Sequence, residues 1–124
     1  MLELTKAETL VMKTIWDNPR EMALQEIMNL TNAAYGKEWK PQTVSTYIAK
    51  LVRKGFVRMK QKGRNATYEI IIPEDEYQQE QSRKFVRFWN KGSIRSFLTI
   101  YYKNKTLTEN DLDELRKSIE ELGQ

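Results

Sequence analysis

The stretch Lys40–Arg64, KPQTVSTYIAKLVRKGFVRMKQKGR, constrains this chain more than any other. Val44, Ile48, Leu51 and Val52 recur at helical spacing, so they form the apolar side of a helix. Pro41 suits its first position, and Gly55 is the residue expected just past its end. Phe56–Lys60 then alternates as a strand, Lys62-Gly63-Arg64-Asn65 reads as a turn, and Thr67–Ile72 reads as the return strand. The lone glycine of that turn is a backbone device rather than a catalytic feature. A helix followed at once by a hairpin must pack against further helices, because neither element closes a core alone.

The rest of the chain supplies those helices. Thr5 and Glu8 have the spacing of a capping box, opening a helix that Asn18-Pro19 ends. Ala7, Val11 and Ile15 share its face, with Leu10 and Trp16 beside them. A second helix is expected from Met22 to about Leu30, carrying Leu24, Ile27 and Met28. Asn32–Lys40 is expected to be a connector, with Trp39 as a hydrophobic plug. Pro73 marks a boundary. Beyond it, helices are expected over about Glu74–Asn90, around Ile94–Tyr101, and from an N-cap at Thr108 with Leu107 stapled to Leu112. Leu112, Leu115, Ile119 and Leu122 follow a coiled-coil-like 3-4-3 spacing. The expected fold is mainly α with a small β-hairpin wing: a winged helix-turn-helix domain over 1–73 and a helical dimerisation region over 74–124.

Charge narrows the function. Lys40–Arg64 holds eight Lys or Arg and no Asp or Glu. Residues 1–73 carry 12 Lys/Arg against 7 Asp/Glu, whereas residues 74–124 carry 9 against 10. The basic surplus therefore belongs to the first part, which points to a polyanion partner there. Basic runs are also ordinary solvated faces, and charge alone does not separate the two. Residue type adds to it: Gln42, Thr43, Thr46, Lys50 and Arg53 on the polar side of the helix are donors suited to base edges and phosphates.

Other classes are disfavoured. The chain has no Cys and no His, so two common nucleophile or base types are missing, and no disulfide, metal site or cofactor is expected. The carboxylates Glu74-Asp75-Glu76 and Glu109, Asp111, Asp113 and Glu114 sit in first turns, where acids favour the helix dipole. No catalytic residue is assigned. No apolar run reaches the ~20 residues of a membrane span, and no signal peptide is expected. A cytoplasmic protein is expected. The rival reading that survives is a winged helix that binds protein rather than DNA; the absence of acid from Lys40 to Arg64 favours duplex DNA.

The residue pattern resembles the penicillinase-repressor family, the BlaI/MecI/CopY transcriptional repressors. LTKAETLVMKTIW resembles the opening S-x-A-E-x-x-V-M-x-x-I-W of that family, and WKPQTVSTYIAKLVRKGFV resembles its recognition helix. KGRNATYEI resembles the wing, and YQQEQSRKFVRFWNKGS the start of the dimerisation region. The resemblance implies a homodimeric repressor that sits on TACA/TGTA-type inverted repeats. In the β-lactam-responsive members it implies a sensor-protease pathway that cuts the dimerisation arm and releases the operator. The family's scissile Asn-Phe corresponds here to Ile100-Tyr101, and the Cys-rich tail of the copper-responsive members has no counterpart. The family's Ser before the recognition-helix proline is Lys40.

Residue roles follow as expectations. Gln42, Thr43, Thr46 and Arg53 are candidates for base reading, since recognition helices touch bases near their start. Lys40, Lys50, Lys54, Lys62 and Arg64 are candidates for phosphate contacts. Phe97, Leu98, Tyr101, Leu112, Leu115, Ile119 and Leu122 are candidates for the dimer interface. Ile100 and Tyr101 flank the candidate cleavage bond.

Overall fold

The computed structural model describes residues 1–124. It orders six helices and one hairpin as α1 (Lys6–Asp17), α2 (Leu24–Tyr35), α3 (Pro41–Arg53), β1 (Val57–Lys62), β2 (Asn65–Ile70), α4 (Glu74–Asn90), α5 (Ile94–Tyr101) and α6 (Glu109–Leu122). The chain forms two compact units, Met1–Gln79 and Glu80–Gln124. The first is a winged helix: three helices and a two-stranded antiparallel sheet.

Local signals account for most boundaries. The Thr5 hydroxyl accepts from the Glu8 amide at 3.3 Å, and the Glu8 carboxylate accepts from the Thr5 amide at 3.2 Å, so the capping box forms as expected. Helix α2 starts two residues later than expected and runs five residues further. Met22 is drawn instead into a single antiparallel bridge with Tyr68. Gly36, at φ +62°, makes the left-handed stop that Leu30 does not. In α2, Thr31 is buried, and its hydroxyl lies 2.7 Å from the Ile27 carbonyl and 2.9 Å from the hydroxyl of Thr14 on α1. The expected connector therefore shrinks to Gly36–Lys40.

Helix α3 has Pro at its first turn and no side-chain cap at Lys40. Val44, Ile48 and Leu51 are buried as expected, but Val52 is 38% exposed. A stripe at i, i+4 and i+7 fills the space between α1 and α2, and Val52 falls a further 100° round the helix. Gly55, at φ +82°, turns the chain into β1. The hairpin pairs Val57 with Ile70 and Lys62 with Asn65. Its two-residue turn has φ +61° at Gly63 and no positive φ at Arg64, the pattern of a hairpin that places Gly at the first central position. The return strand thus starts at Asn65 and ends at Ile70, two residues ahead of expectation at each end.

The core of this unit joins Val11, Met12 and Ile15 of α1 to Ile27, Val44, Ile48, Leu51, Phe56 and Val57. Tyr77 closes it. Its ring lies 5.7 Å from Trp16 and 5.3 Å from Phe56, and its hydroxyl accepts from the Leu4 amide at 3.2 Å. The first turn of α4 therefore belongs to the first unit, and the division falls inside α4 rather than at Pro73.

In the second unit α4 and α5 meet through Phe85 and Phe97, whose rings lie edge to face at 6.0 Å, and through Asn90, which donates to the Ser96 hydroxyl at 3.1 Å. Ser93 caps α5 by accepting from the Ser96 amide at 3.1 Å. Thr108 and Asp111 form a capping box at α6. Only Val86 and Asn90 are buried in this unit.

Candidate nucleic-acid interface

Helix α3 owes its exposed face to what its other face packs on. With Val44, Ile48 and Leu51 in the core, Gln42, Thr46, Lys50 and Arg53 are left exposed and Thr43 half-buried. Lys40, Lys50 and Arg53 carry no ion pair, so their charge is available to an external anion. The Thr46 hydroxyl donates to the Gln42 carbonyl at 3.0 Å. Its donor is thereby used within the helix, and its methyl is left for apolar contact. Tyr47 turns away from this set and packs on Trp39, with ring centroids 5.0 Å apart.

The start of α3 is anchored from α2. Asn32 donates to the Trp39 carbonyl at 3.0 Å and accepts from the Trp39 amide at 3.1 Å. This two-bond clasp fixes the residue immediately before Lys40, while the helix start itself has no side-chain cap. Trp39 is half-buried against the core, as a plug should be. Lys37 lies over its ring at 5.9 Å, adding an exposed cation beside the helix start.

The remaining cations divide. Lys54 is drawn inward: its ammonium donates to the Glu8 carboxylate at 2.5 Å and to the Glu3 carbonyl at 2.9 Å. Burial pushes the Glu8 carboxyl up, but the Lys54 ammonium and the Thr5 amide outweigh it and hold the group below the usual carboxylate range. In the free chain Lys54 is a structural partner rather than an open phosphate donor. On the wing, Lys62 is paired with Glu21, and Lys60 lies 3.1 Å from the same carboxylate. Glu69 takes Arg58 and also Lys60, the latter at 3.2 Å. Arg64 at the turn carries no ion pair and is exposed.

Arg58, Lys60, Lys37 and the two acids were absent from the expected set. Arg58, Lys60 and Lys62 alternate along β1, a spacing that puts them on one face of the hairpin, so this cluster was open to detection. Glu21 was not, since it lies 41 residues from Lys62 and meets it only through the fold.

The candidate dimer residues are less buried. Phe97, Leu98 and Leu115 are half-buried, and Tyr101 and Leu112 are exposed. Ile119 is 69% exposed and Leu122 is 87% exposed. Phe85, Trp89, Asn90, Phe97, Ile100 and Tyr101 line an open apolar groove. Ile100, beside the candidate cleavage bond, is exposed as well.

Known proteins resemble this chain in sequence, and one solved domain resembles it in fold over 60% of its length. A penicillinase repressor of Bacillus licheniformis is 27% identical over 119 residues, covering 96% of this chain and 91% of its own. The methicillin resistance regulatory protein MecI of Staphylococcus aureus is 26% identical over 117 residues, covering 94% of this chain and 93% of its own. The solution structure of the DNA-binding domain of the repressor BlaI superposes with a TM-score of 0.51 at 28% identity. It covers 60% of this chain and 88% of that domain. The sequence model of the penicillinase repressor family matches residues 4–121, and the chain belongs to that family.

Proposed function

We propose that this chain, a DNA-binding repressor of the penicillinase-repressor family, acts as a homodimer on an inverted-repeat operator. The observation that carries the reading is helix α3. Its solvent side presents Gln42, Thr43, Thr46, Lys50 and Arg53 with no acid among them, and its basic residues are unpaired. Gln42, Thr43 and Thr46 read bases, with Gln suited to adenine and the Thr methyl to a thymine methyl. Lys40, Lys50 and Arg64 contact phosphates and set register. Arg53, farther along, reaches either. The apolar groove and exposed seam of the second unit support pairing with a second copy, since a single chain leaves them in water. Two recognition helices then enter successive major grooves, with half-sites about one helical turn or a small multiple apart. Loss of the arm through a sensor-protease pathway is the corresponding release step.

The test is titration of the full chain with the duplex upstream of its own gene, over a salt series. With three phosphates neutralised per subunit, or four if Arg53 joins them, the log-log salt slope is expected at about −5 to −7. A slope near zero, or equal affinity for every sequence, would count for the protein-binding alternative.

A further inference from the structure

The wing is not an open row of cations in the folded chain. Arg58, Lys60 and Lys62 project from one face of the hairpin, and three cations share two carboxylates there. Glu21 uses both oxygens, one for each lysine: Oε1 lies 3.1 Å from Lys60 Nζ, and Oε2 bonds to Lys62 Nζ. Glu69, opposite Arg58 in the ladder, completes the set. The place of Glu21 is set by backbone, not by a loose side chain. The next residue, Met22, is fully buried, and its carbonyl accepts from the Tyr68 amide of β2 at 3.3 Å. The two lysine ammoniums hold the Glu21 carboxyl below its ordinary range, so it is an anion at neutral pH.

A carboxylate that offers one oxygen to each of two neighbouring lysines presents what a phosphate diester presents with its two free oxygens. We infer that Glu21 is an internal surrogate for a DNA phosphate, which occupies the wing lysines in the free repressor and so limits its affinity for duplex. The inference rests on the DNA-binding reading. Lys62 reaches a phosphate only by leaving Glu21. It exchanges one anionic partner for another, so its net gain on binding is small. Arg64, which gives up no partner, gains the full contact. Glu21 therefore sets how strongly the wing holds any sequence, while α3 keeps the choice of sequence.

The experiment uses the full-length chain, a fluorescent random-sequence duplex, and a salt series. Wild type, Glu21→Gln, Glu21→Asp, Lys62→Ala and the double variant Glu21→Gln with Lys62→Ala are compared. Glu21→Gln is expected to bind about two- to five-fold tighter at physiological salt, the scale of an exposed ion pair. Its salt slope should steepen by about 2 per dimer, one phosphate per subunit. Glu21→Asp should stay near wild type. Lys62→Ala should cost more in the Glu21→Gln background than in wild type, because only there is the lysine free beforehand. Removal of a distant negative charge would raise affinity without that coupling, and additivity of the two changes would overturn the inference. So would equal or weaker binding by Glu21→Gln; if Tyr68 amide exchange is also faster, Glu21 serves only to hold the wing in place. If wild type itself ignores duplex at low salt, the DNA-binding reading fails, and this inference with it.

Discussion

Lys54 donates to Glu8 and to the Glu3 carbonyl, whereas Lys50, one turn earlier on α3, is exposed and unpaired. Replacing each by Ala should separate structure from binding. Lys54→Ala leaves the Glu8 carboxylate, 1% exposed, without its cation. That should cost roughly 1–3 kcal/mol of stability, the penalty of a buried polar group that loses its partner. Lys50→Ala should stay within about 0.5 kcal/mol of wild type and instead weaken duplex binding. Urea denaturation and duplex titration of both variants check this. The same pair predicts an acid response. The folded-state pKa of Glu8 lies below its unfolded value, so its contribution is present above the unfolded pKa and is lost as pH falls through the folded one. Thermal unfolding followed from neutral to acid pH should show this loss, and Glu8→Gln should show less of it.

At the scale of the element, helix and wing should fail differently. On the proposed reading, in which Gln42 and Thr46 face base edges, Gln42→Ala or Thr46→Ala should cost about 1–3 kcal/mol on the operator, with less effect on random duplex. Lys62→Ala with Arg64→Ala should weaken all duplexes about equally and flatten the salt slope. Competition of operator against random duplex distinguishes the two, and loss of sequence preference in the wing variant would reverse the assignment. The start of α3 offers a third case. Lys40 gives α3 no side-chain cap, and its charge opposes the helix dipole. Lys40→Ser should stabilise the fold by about 0.5–2 kcal/mol while weakening duplex binding. Tighter or unchanged binding would show that Lys40 meets no phosphate.

In the proposed homodimer, the whole molecule sets avidity. Phe88 is 78% exposed and Trp89 is 68% exposed, and Ile119 and Leu122 are likewise left in water by a single chain. A lysine at the half-buried Leu115 should disfavour pairing, because association would bury an unpaired cation. Analytical ultracentrifugation of Leu115→Lys should show a monomer with a folded winged helix and weak operator binding, since one half-site alone lacks the linked second. A fragment of residues 1–100 removes Leu112, Leu115, Ile119 and Leu122, each worth roughly 1.5–3 kcal/mol when buried. It too should lose the operator, whatever the natural trigger. Full-strength binding by the fragment would refute the role given to the arm.

The sequence by itself determined what is settled within a turn or two of chain. The Thr5–Glu8 and Thr108 caps, Pro41 and Gly55 around α3, and both ends of α4 follow from capping side chains and from the backbone preferences of Pro and Gly, so residues close in sequence encode them. The buried stripe of α3 was legible for the same reason, and with it the polar face opposite. Tertiary structure decided the rest. Tyr77 joins the first unit through a bond to Leu4, 73 residues away. Met22 leaves α2 for the bridge to Tyr68. Lys54 meets Glu8 across 46 residues, and Lys62 meets Glu21 across 41. No spacing rule links such pairs, because their distance is set by how three helices and a hairpin pack around one core. A run of basic residues therefore marks a candidate DNA-binding face, but packing decides which of its cations are left unpaired.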